Sequence, residues 1–257
     1  MPSTHTVDRA ELLAAFDAEL QPERFKDYGP NGLQVEGRAR IGSIVSGVTA
    51  SRALIEAAIE AGADAIFVHH GLFWRGQDGT VTGWMKQRLR LLLAHDINLF
   101  AYHLPLDAHP TLGNNAQLAR VLGLQATGRF GEQELGFIGG RAEGDRFDSA
   151  EALAAHVGSA LNRPVVLVQP AQAAIEKIAW CTGGAQGYFE DAIAAGAQAF
   201  ITGEISEPQA HYARECGVAF LACGHHSTER YGAPALAGHV AAQLGLAHRF
   251  IDIDNPG

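Results

Sequence analysis

Three stretches of this chain place imidazoles and carboxylates at spacings that suit a metal centre. In VHHGLFWRG, His69 and His70 are neighbours, followed by Gly71 and the bulky run Leu72, Phe73 and Trp74. Imidazole is the commonest metal ligand. Adjacent residues of a strand point to opposite faces, so two neighbouring histidines can serve two different ions if the backbone turns at Gly71. In HLPLDAH, His103 and Asp107 stand close together in sequence. A carboxylate can bridge two cations and lower their mutual repulsion, which makes Asp107 the natural bridging candidate. His103 could be a ligand but reads as a proton donor or acceptor beside the metals, with a surface turn at Pro105 as the bland alternative. In CGHHSTERYG, His225 and Glu229 have the i,i+4 spacing that puts two side chains on one face of a helical turn. His226 with Glu229 is the i,i+3 alternative. Pro234 disfavours helical geometry at Ala233, so this turn is expected to be brief. Glu204, in TGEISEPQ, either orients a ligating histidine from behind or opens a helix, where Glu is favoured in the first turn.

These residues need elements to hold them, and each cluster follows a short apolar run. Strands are expected at Ser43 to Val48, Ala65 to Val68, Ile97 to Ala101, Val165 to Val168, Ile178 to Cys181, Ala199 to Thr202 and Val218 to Ala222. Helical patterns fill the gaps between them. Asp8 to Leu20 puts Leu12, Leu13, Phe16 and Leu20 on one face, and Asp148 or Ser149 can cap a helix running to about Leu161. Alternating strands and helices indicate an α/β fold around a largely parallel sheet. Ligands in such folds bind beyond the carboxyl ends of the strands, where all of the polar clusters lie.

An internal repeat divides the chain. AIEAGADAIFVHH, from Ala58 to His70, matches AIAAGAQAFITGE, from Ala192 to Glu204, without gaps. Each copy ends a helix at a glycine, Gly62 or Gly196, and then enters an apolar strand. INLFAYHLPLD, from Ile97 to Asp107, pairs more weakly with VAFLACGHHST, from Val218 to Thr228. The same order of matches suggests two similar α/β halves, residues 1–126 and 127–257, related by duplication and split near Thr127 and Gly128, with the metal site in the cleft between them.

Composition narrows the function classes. A chain of 257 residues with 47% apolar and 18% charged residues can bury one large core or two modest ones. No apolar run approaches the roughly 20 residues that cross a bilayer, and Met1 to Asp8 lacks the pattern of a leader. A cytoplasmic protein with no membrane partner is expected. Cys181, Cys216 and Cys223 show no CxxC spacing, which suits a reducing compartment and argues against a thiolate metal site. A formal charge of −9 disfavours a chain whose main work is gripping phosphate backbones. The basic group Lys86, Arg88 and Arg90 falls on an expected helix, where a solvated face is the ordinary reading.

Taken together, YGPNGLQVEG (Tyr28 to Gly37), VHHGLFW, HLPLD, TGE and GHHSTER resemble, in order and over nearly the whole chain, the Nif-three-like dinuclear-metal-centre family. Its bacterial members carry the name GTP cyclohydrolase I type 2 homologue. The Trp-Asp pair usual in that family near Tyr28 to Pro30 is replaced here. The resemblance implies metal ligation by His69, His70, Asp107, His225 and Glu229, with His225 chosen over His226. It also implies a ring-shaped homohexamer. A mixed imidazole and carboxylate set suits two divalent ions such as zinc, iron, manganese or nickel better than calcium or magnesium.

The expected function is metal-dependent hydrolysis of a nucleotide-like small molecule, with the cyclohydrolase reaction on GTP as its named form. Paired ions activate water and stabilise developing charge, His103 would move the proton, and Phe73 or Trp74 would stack on the base. No GxxxxGK[ST] loop is present, and Arg75 is the cation next to the motif. Two alternatives remain open: a phosphoesterase or amidohydrolase on the same ions, or a non-enzymatic ring that carries metal or binds a protein or DNA partner.

Overall fold

A computed structural model describes residues 5–142, 145–168 and 174–257. The chain opens with a two-residue strand β1 (Val7–Asp8) and helix α1 (Arg9–Leu20), whose buried face is Leu12, Phe16 and Leu20. Next come β2 (Gly32–Val35), the two-residue β3 (Arg40–Ile41), β4 (Ser43–Thr49), α2 (Arg52–Glu60), β5 (Ala65–His70), α3 (Gly83–Ala94), β6 (Asn98–Ala101) and the single turn α4 (Leu104–Ala108). Then follow α5 (Asn114–Leu122), β7 (Leu124–Phe130), β8 (Gly136–Arg141), α6 (Ala150–Leu161), β9 (Val166–Val168), β10 (Ile178–Trp180), α7 (Phe189–Ala194), β11 (Ala199–Thr202), α8 (Glu207–Cys216), β12 (Ala219–Ala222) and another single turn, α9 (His225–Glu229). The last elements are α10 (Gly232–Gln243) and β13 (Ala247–Phe250).

Two units result. The first comprises Met1–Leu106 and Gly232–Asp254, the second Asp107–Tyr231 and Asn255–Gly257. The sequence placed the division near Thr127 and Gly128, but those residues lie inside β7, which pairs antiparallel with β8 from Leu124 to Phe130. Cutting there would sever a paired strand. The C-terminal segment returns to the first unit because β13 pairs parallel with β4.

The first unit holds a five-stranded sheet in the order β13-β4-β5-β6-β2, parallel except for β2. Side chains alternate across it. Ile66, Val68, Leu99 and Ala101 face Leu54, Ile55 and Ala58 of α2 and Met85 and Leu92 of α3. Phe67, Phe100 and Tyr102 turn to the other face and pack on Phe16 of α1. The second unit holds a six-stranded sheet, β7-β8-β10-β11-β12-β9, with β10, β11 and β12 parallel and the remaining pairings antiparallel. Trp180, Ile201 and Leu221 face α5 and α6, while Phe200 and Phe220 pack on Phe189 of α7.

All seven expected strands form, and the fold is α/β. Both units share a kernel: three parallel strands, β4-β5-β6 or β10-β11-β12, closed at one edge by an antiparallel strand, β2 or β9. The repeated segments fall on matching parts of it, and Gly62 and Gly196 adopt left-handed φ of 68° and 80°. β2, β7, β8 and β13 were not expected; β7 and β13 are edge strands with mostly exposed or half-buried side chains, which erase the apolar signal. Ala233 is helical despite Pro234, because Pro234 lies in the first turn of α10, where backbone N–H groups lack intrahelical partners anyway.

Candidate metal centre

In the first unit the site is built on the carboxyl end of β5, the middle of three parallel strands. The fully buried His69 leans toward β6, its Nδ1 bonding the Tyr102 carbonyl at 3.1 Å. His70 leans toward β4, its Nδ1 meeting Thr49 Oγ1 at 3.0 Å. Their ring centroids are 4.4 Å apart, and His103 joins them at 4.9 Å from His69 and 5.7 Å from His70. One ligand atom from each of His69, His70 and His103 lies within 4.8 Å of the others, a group able to hold a metal ion. Gly71 follows because a Cβ there would collide with the Gln34 side chain. The Gln34 Oε1 accepts from Leu72 N at 2.8 Å, so the loop after β5 closes directly over β2.

His103 is held by a residue the sequence did not single out. Asp27 Oδ1 lies 2.7 Å from His103 Nδ1, and its side chain is only 3% exposed. The same carboxylate accepts from Tyr28 N, Asn31 Nδ2 and Leu104 N. Burial alone would raise its pKa, but the hydrogen bond and charge of His103, helped by Asn31 and Tyr28, outweigh that and hold it below the usual carboxylate range. An ionised Asp27 fixes the His103 tautomer, with hydrogen on Nδ1. Asn31 adds a second tether, its Oδ1 accepting from His103 N at 2.8 Å. Nothing in local spacing announces the pair, because Asp27 and His103 are 76 residues apart.

Three aromatic rings were candidates for, or are available to, a planar substrate. Trp74 meets His103 edge-on with centroids 5.0 Å apart. Phe73 lines a tight crevice beside His69 and His103, with Gly29, Gln34 and Trp74. Tyr28, which the sequence marks only as the start of the YGPNGLQVEG motif, is 58% exposed and lies 6.1 Å from His103. Arg75 is committed to this loop: its Nη2 donates to the Asp27 carbonyl and its backbone N to that of Tyr28.

The second unit has its own cluster of carboxylates around His225. Asp107, 7% exposed, accepts on Oδ1 from Asn114 Nδ2 at 2.9 Å and Thr182 Oγ1 at 3.2 Å, which fixes the plane of the carboxylate. His225 and Glu229 share the turn α9, with Nε2 to Oε2 at 3.1 Å. The Glu229 side chain is 3% exposed. Glu204 stands outside any helix, and its Oε1 bonds His225 Nδ1 at 2.7 Å. Of the two readings of Glu204, the one in which it orients a histidine is the one realised. Burial would lower the His225 pKa, but the bonds and charges of Glu229 and Glu204 overcome it and push the imidazole up to about 9. His226, the alternative partner of Glu229, is buried and its backbone N donates to the Gly257 carbonyl.

Two glycines let α9 and its neighbours come together. Gly183 has φ of 70°, its N donates to Thr228 Oγ1 at 3.0 Å, and a Cβ there would strike Glu229 Oε1. A Cβ on Gly203 would come within 2.7 Å of the His225 Cα. Cys181 and Cys223 are buried beside this region; burial raises both thiols, that of Cys223 up to about 12, so neither is an available thiolate. His109 is structural: its Nδ1 accepts from Leu112 N at 3.0 Å.

Comparison with known proteins places the chain among relatives that match it over nearly its whole length. The family model described as Duf34/NIF3 (NGG1p interacting factor 3) matches residues 7–256. A Neisseria meningitidis serogroup A protein named GTP cyclohydrolase 1 type 2 homolog is 52% identical over 96% of this chain and 98% of its own. An Escherichia coli K12 protein of the same name is 44% identical over 96% and 98%. Among solved structures, "protein ybgI, unknown function" superposes with a TM-score of 0.93 at 43% identity, covering 98% of this chain and all of that one. TTHA1606 from Thermus thermophilus gives 0.85 at 34% identity, with 98% and 100% covered. The chain belongs to the Duf34/NIF3 family.

Proposed function

We propose that His69, His70, Asp107, His225 and Glu229 hold a pair of divalent metal ions, and that the protein is a hydrolase of a nucleotide-like small molecule. Hydrolytic opening of the guanine imidazole ring of GTP is the named form of the reaction. The observation that carries this reading is the approach of His69 and His70 at the end of β5, whose ligand atoms lie within 4.8 Å of each other and of His103, the proton carrier beside them. The donors fit such ions: imidazoles whose second nitrogen is fixed by Tyr102, Thr49 or Glu204, and buried carboxylates, a combination suited to zinc, iron, manganese or nickel. When bound, the ions would supply an acidified water and stabilise negative charge developing on the attacked centre.

The chain's own groups then have distinct tasks. Asp27 keeps hydrogen on His103 Nδ1, which leaves Nε2 to take up and release a proton. Glu204 fixes the His225 ring. The exposed Tyr28 ring offers a face to a base beside His103. The same reading has the chain assemble as a homohexamer and work in the cytoplasm, where Cys181, Cys216 and Cys223 stay as thiols.

Turnover of a panel containing GTP, other nucleotides, phosphate esters and amides by metal-loaded protein tests the hydrolase claim. Ring opening of GTP, lost in His103→Ala, is the expected outcome. Turnover confined to esters or amides would move the assignment to a different hydrolase on the same ions. No turnover by fully loaded protein would remove the enzyme claim.

A further inference from the structure

The proposed substrate carries phosphates, and neither Arg75 nor a Gly-rich loop is available to bind them. We propose that the groove between α2 and α3, lined by Arg52, Lys86 and Arg90, binds the phosphate chain of a small phosphorylated molecule. This rests on the hydrolase reading above and names where its substrate is anchored.

The groove has a volume of about 530 Å³ and is lined by Arg52, Gly83, Lys86, Gln87, Arg90 and Leu91. That falls in the range of roughly 300–1,000 Å³ typical of ligand pockets. Lys86 and Arg90 face it without a carboxylate partner among the described residues, beside Arg52 that is paired with Glu56, in a chain of formal charge −9. The basic group of α3 is divided by helical geometry. Lys86 and Arg90, four apart, share the groove face, while Arg88 turns away to cover the Trp84 ring, with its guanidinium carbon 4.8 Å from the centroid. Arg52 is positioned from two sides, its Nε donating to Glu56 Oε1 at 2.7 Å and its Nη1 to Gln87 Oε1 at 3.2 Å. Among the described residues, no carboxylate pairs with Lys86 or Arg90, so their charge is not already neutralised within the chain.

The groove also has a topological link to the imidazoles. In a parallel α/β unit, helices begin at the carboxyl edge of the sheet, where ligands bind. α2 begins two residues after Ala50, whose N donates to the His70 carbonyl at 2.8 Å. Thr49, one residue earlier, holds the His70 ring. α3 begins at Gly83, which itself lines the groove, on the loop that leaves β5 after His70. The groove is thus built on the two helices whose N-terminal ends follow Thr49 and the loop after His70.

Calorimetry with pyrophosphate, added as its magnesium complex to metal-loaded protein, tests the proposal. Saturable binding is expected, weakened at least ten-fold in Lys86→Ser/Arg90→Ser and retained in Lys86→Arg, with resident metal unchanged in all three proteins. Both side chains are exposed, so their replacement leaves the core intact. Equal affinity in wild type and the double variant, or no saturable binding, would overturn the groove assignment. So would duplex DNA binding that is tighter than pyrophosphate and lost in the same variant, because the ligand would then be a polyanionic backbone. Metal content is read separately in each protein, so failure of the groove leaves the metal reading standing, and loss of the metal reading is visible on its own.

Discussion

At the scale of single residues, the side chains proposed to ligate metal differ in their surroundings from those proposed to position them. Asp107→Ala should lower metal occupancy more than His103→Ala, because Asp107 is a buried carboxylate held by Thr182 and Asn114, whereas His103 is tied to Asp27 and is proposed to move protons. Elemental analysis of the two variants checks this, and equal loss would make His103 a ligand. Acid stability gives a second check. Asp27 has a folded pKa below its unfolded value, so its contribution is present above the unfolded pKa of about 3.9 and is lost as pH falls through the folded pKa. The Tm advantage of wild type over Asp27→Asn should therefore persist at neutral pH and shrink below about pH 4; a gap independent of pH would contradict it. His225 runs the other way. Its raised pKa of about 9 means that metal-free protein carries a proton there at neutral pH, stabilising below the unfolded value of about 6.5 and lost as pH rises through about 9. Metal uptake at pH 7 should release that proton, seen as a buffer-dependent heat. Much of this site was legible from local spacing: His69 with His70, His103 with Asp107, and His225 with Glu229 each lie within one short motif. Asp27 and Thr182 were not, because each reaches its partner only through the tertiary fold, 76 and 75 residues away.

At the scale of elements, the strand ends and short turns carry the site. Gly183 shows how tightly they are fitted, since its left-handed φ and its contact with Glu229 both require the missing Cβ. Gly183→Ala should destabilise the fold by about 1 kcal/mol or more from the backbone alone and should also displace Glu229, lowering metal content. Denaturant unfolding and metal analysis of the same variant separate the two effects; unchanged values in both would show that the turn has slack. Ser149 is a control away from the site. It caps α6 by accepting from Ala152 N at 3.2 Å, so Ser149→Ala should cost about 1 kcal/mol without affecting metal. The parallel strands were readable because they are buried on both faces and appear as unbroken apolar runs. β7 and β13 were not, because edge strands with solvent-facing side chains lose that signal. The expected boundary inside β7 failed for the same reason: an unrecognised strand looks like a linker.

At the scale of the whole molecule, the chain contains two units with the same parallel kernel, one with imidazoles at the end of β5 and the other with carboxylates beside His225. The repeat in the sequence made this pattern visible, since the Ala58–His70 and Ala192–Glu204 segments fall on corresponding helices and strands. Light scattering should report six chains of 27.3 kDa if the homohexamer forms, and a monomer would exclude it. The central claim is metal binding by His69, His70, Asp107, His225 and Glu229, and elemental analysis of protein purified without added metal tests it most directly. The account predicts about two divalent ions per chain, with the content falling in both His69→Ala and Glu229→Ala. Near-zero metal that zinc, iron or manganese does not restore would contradict it.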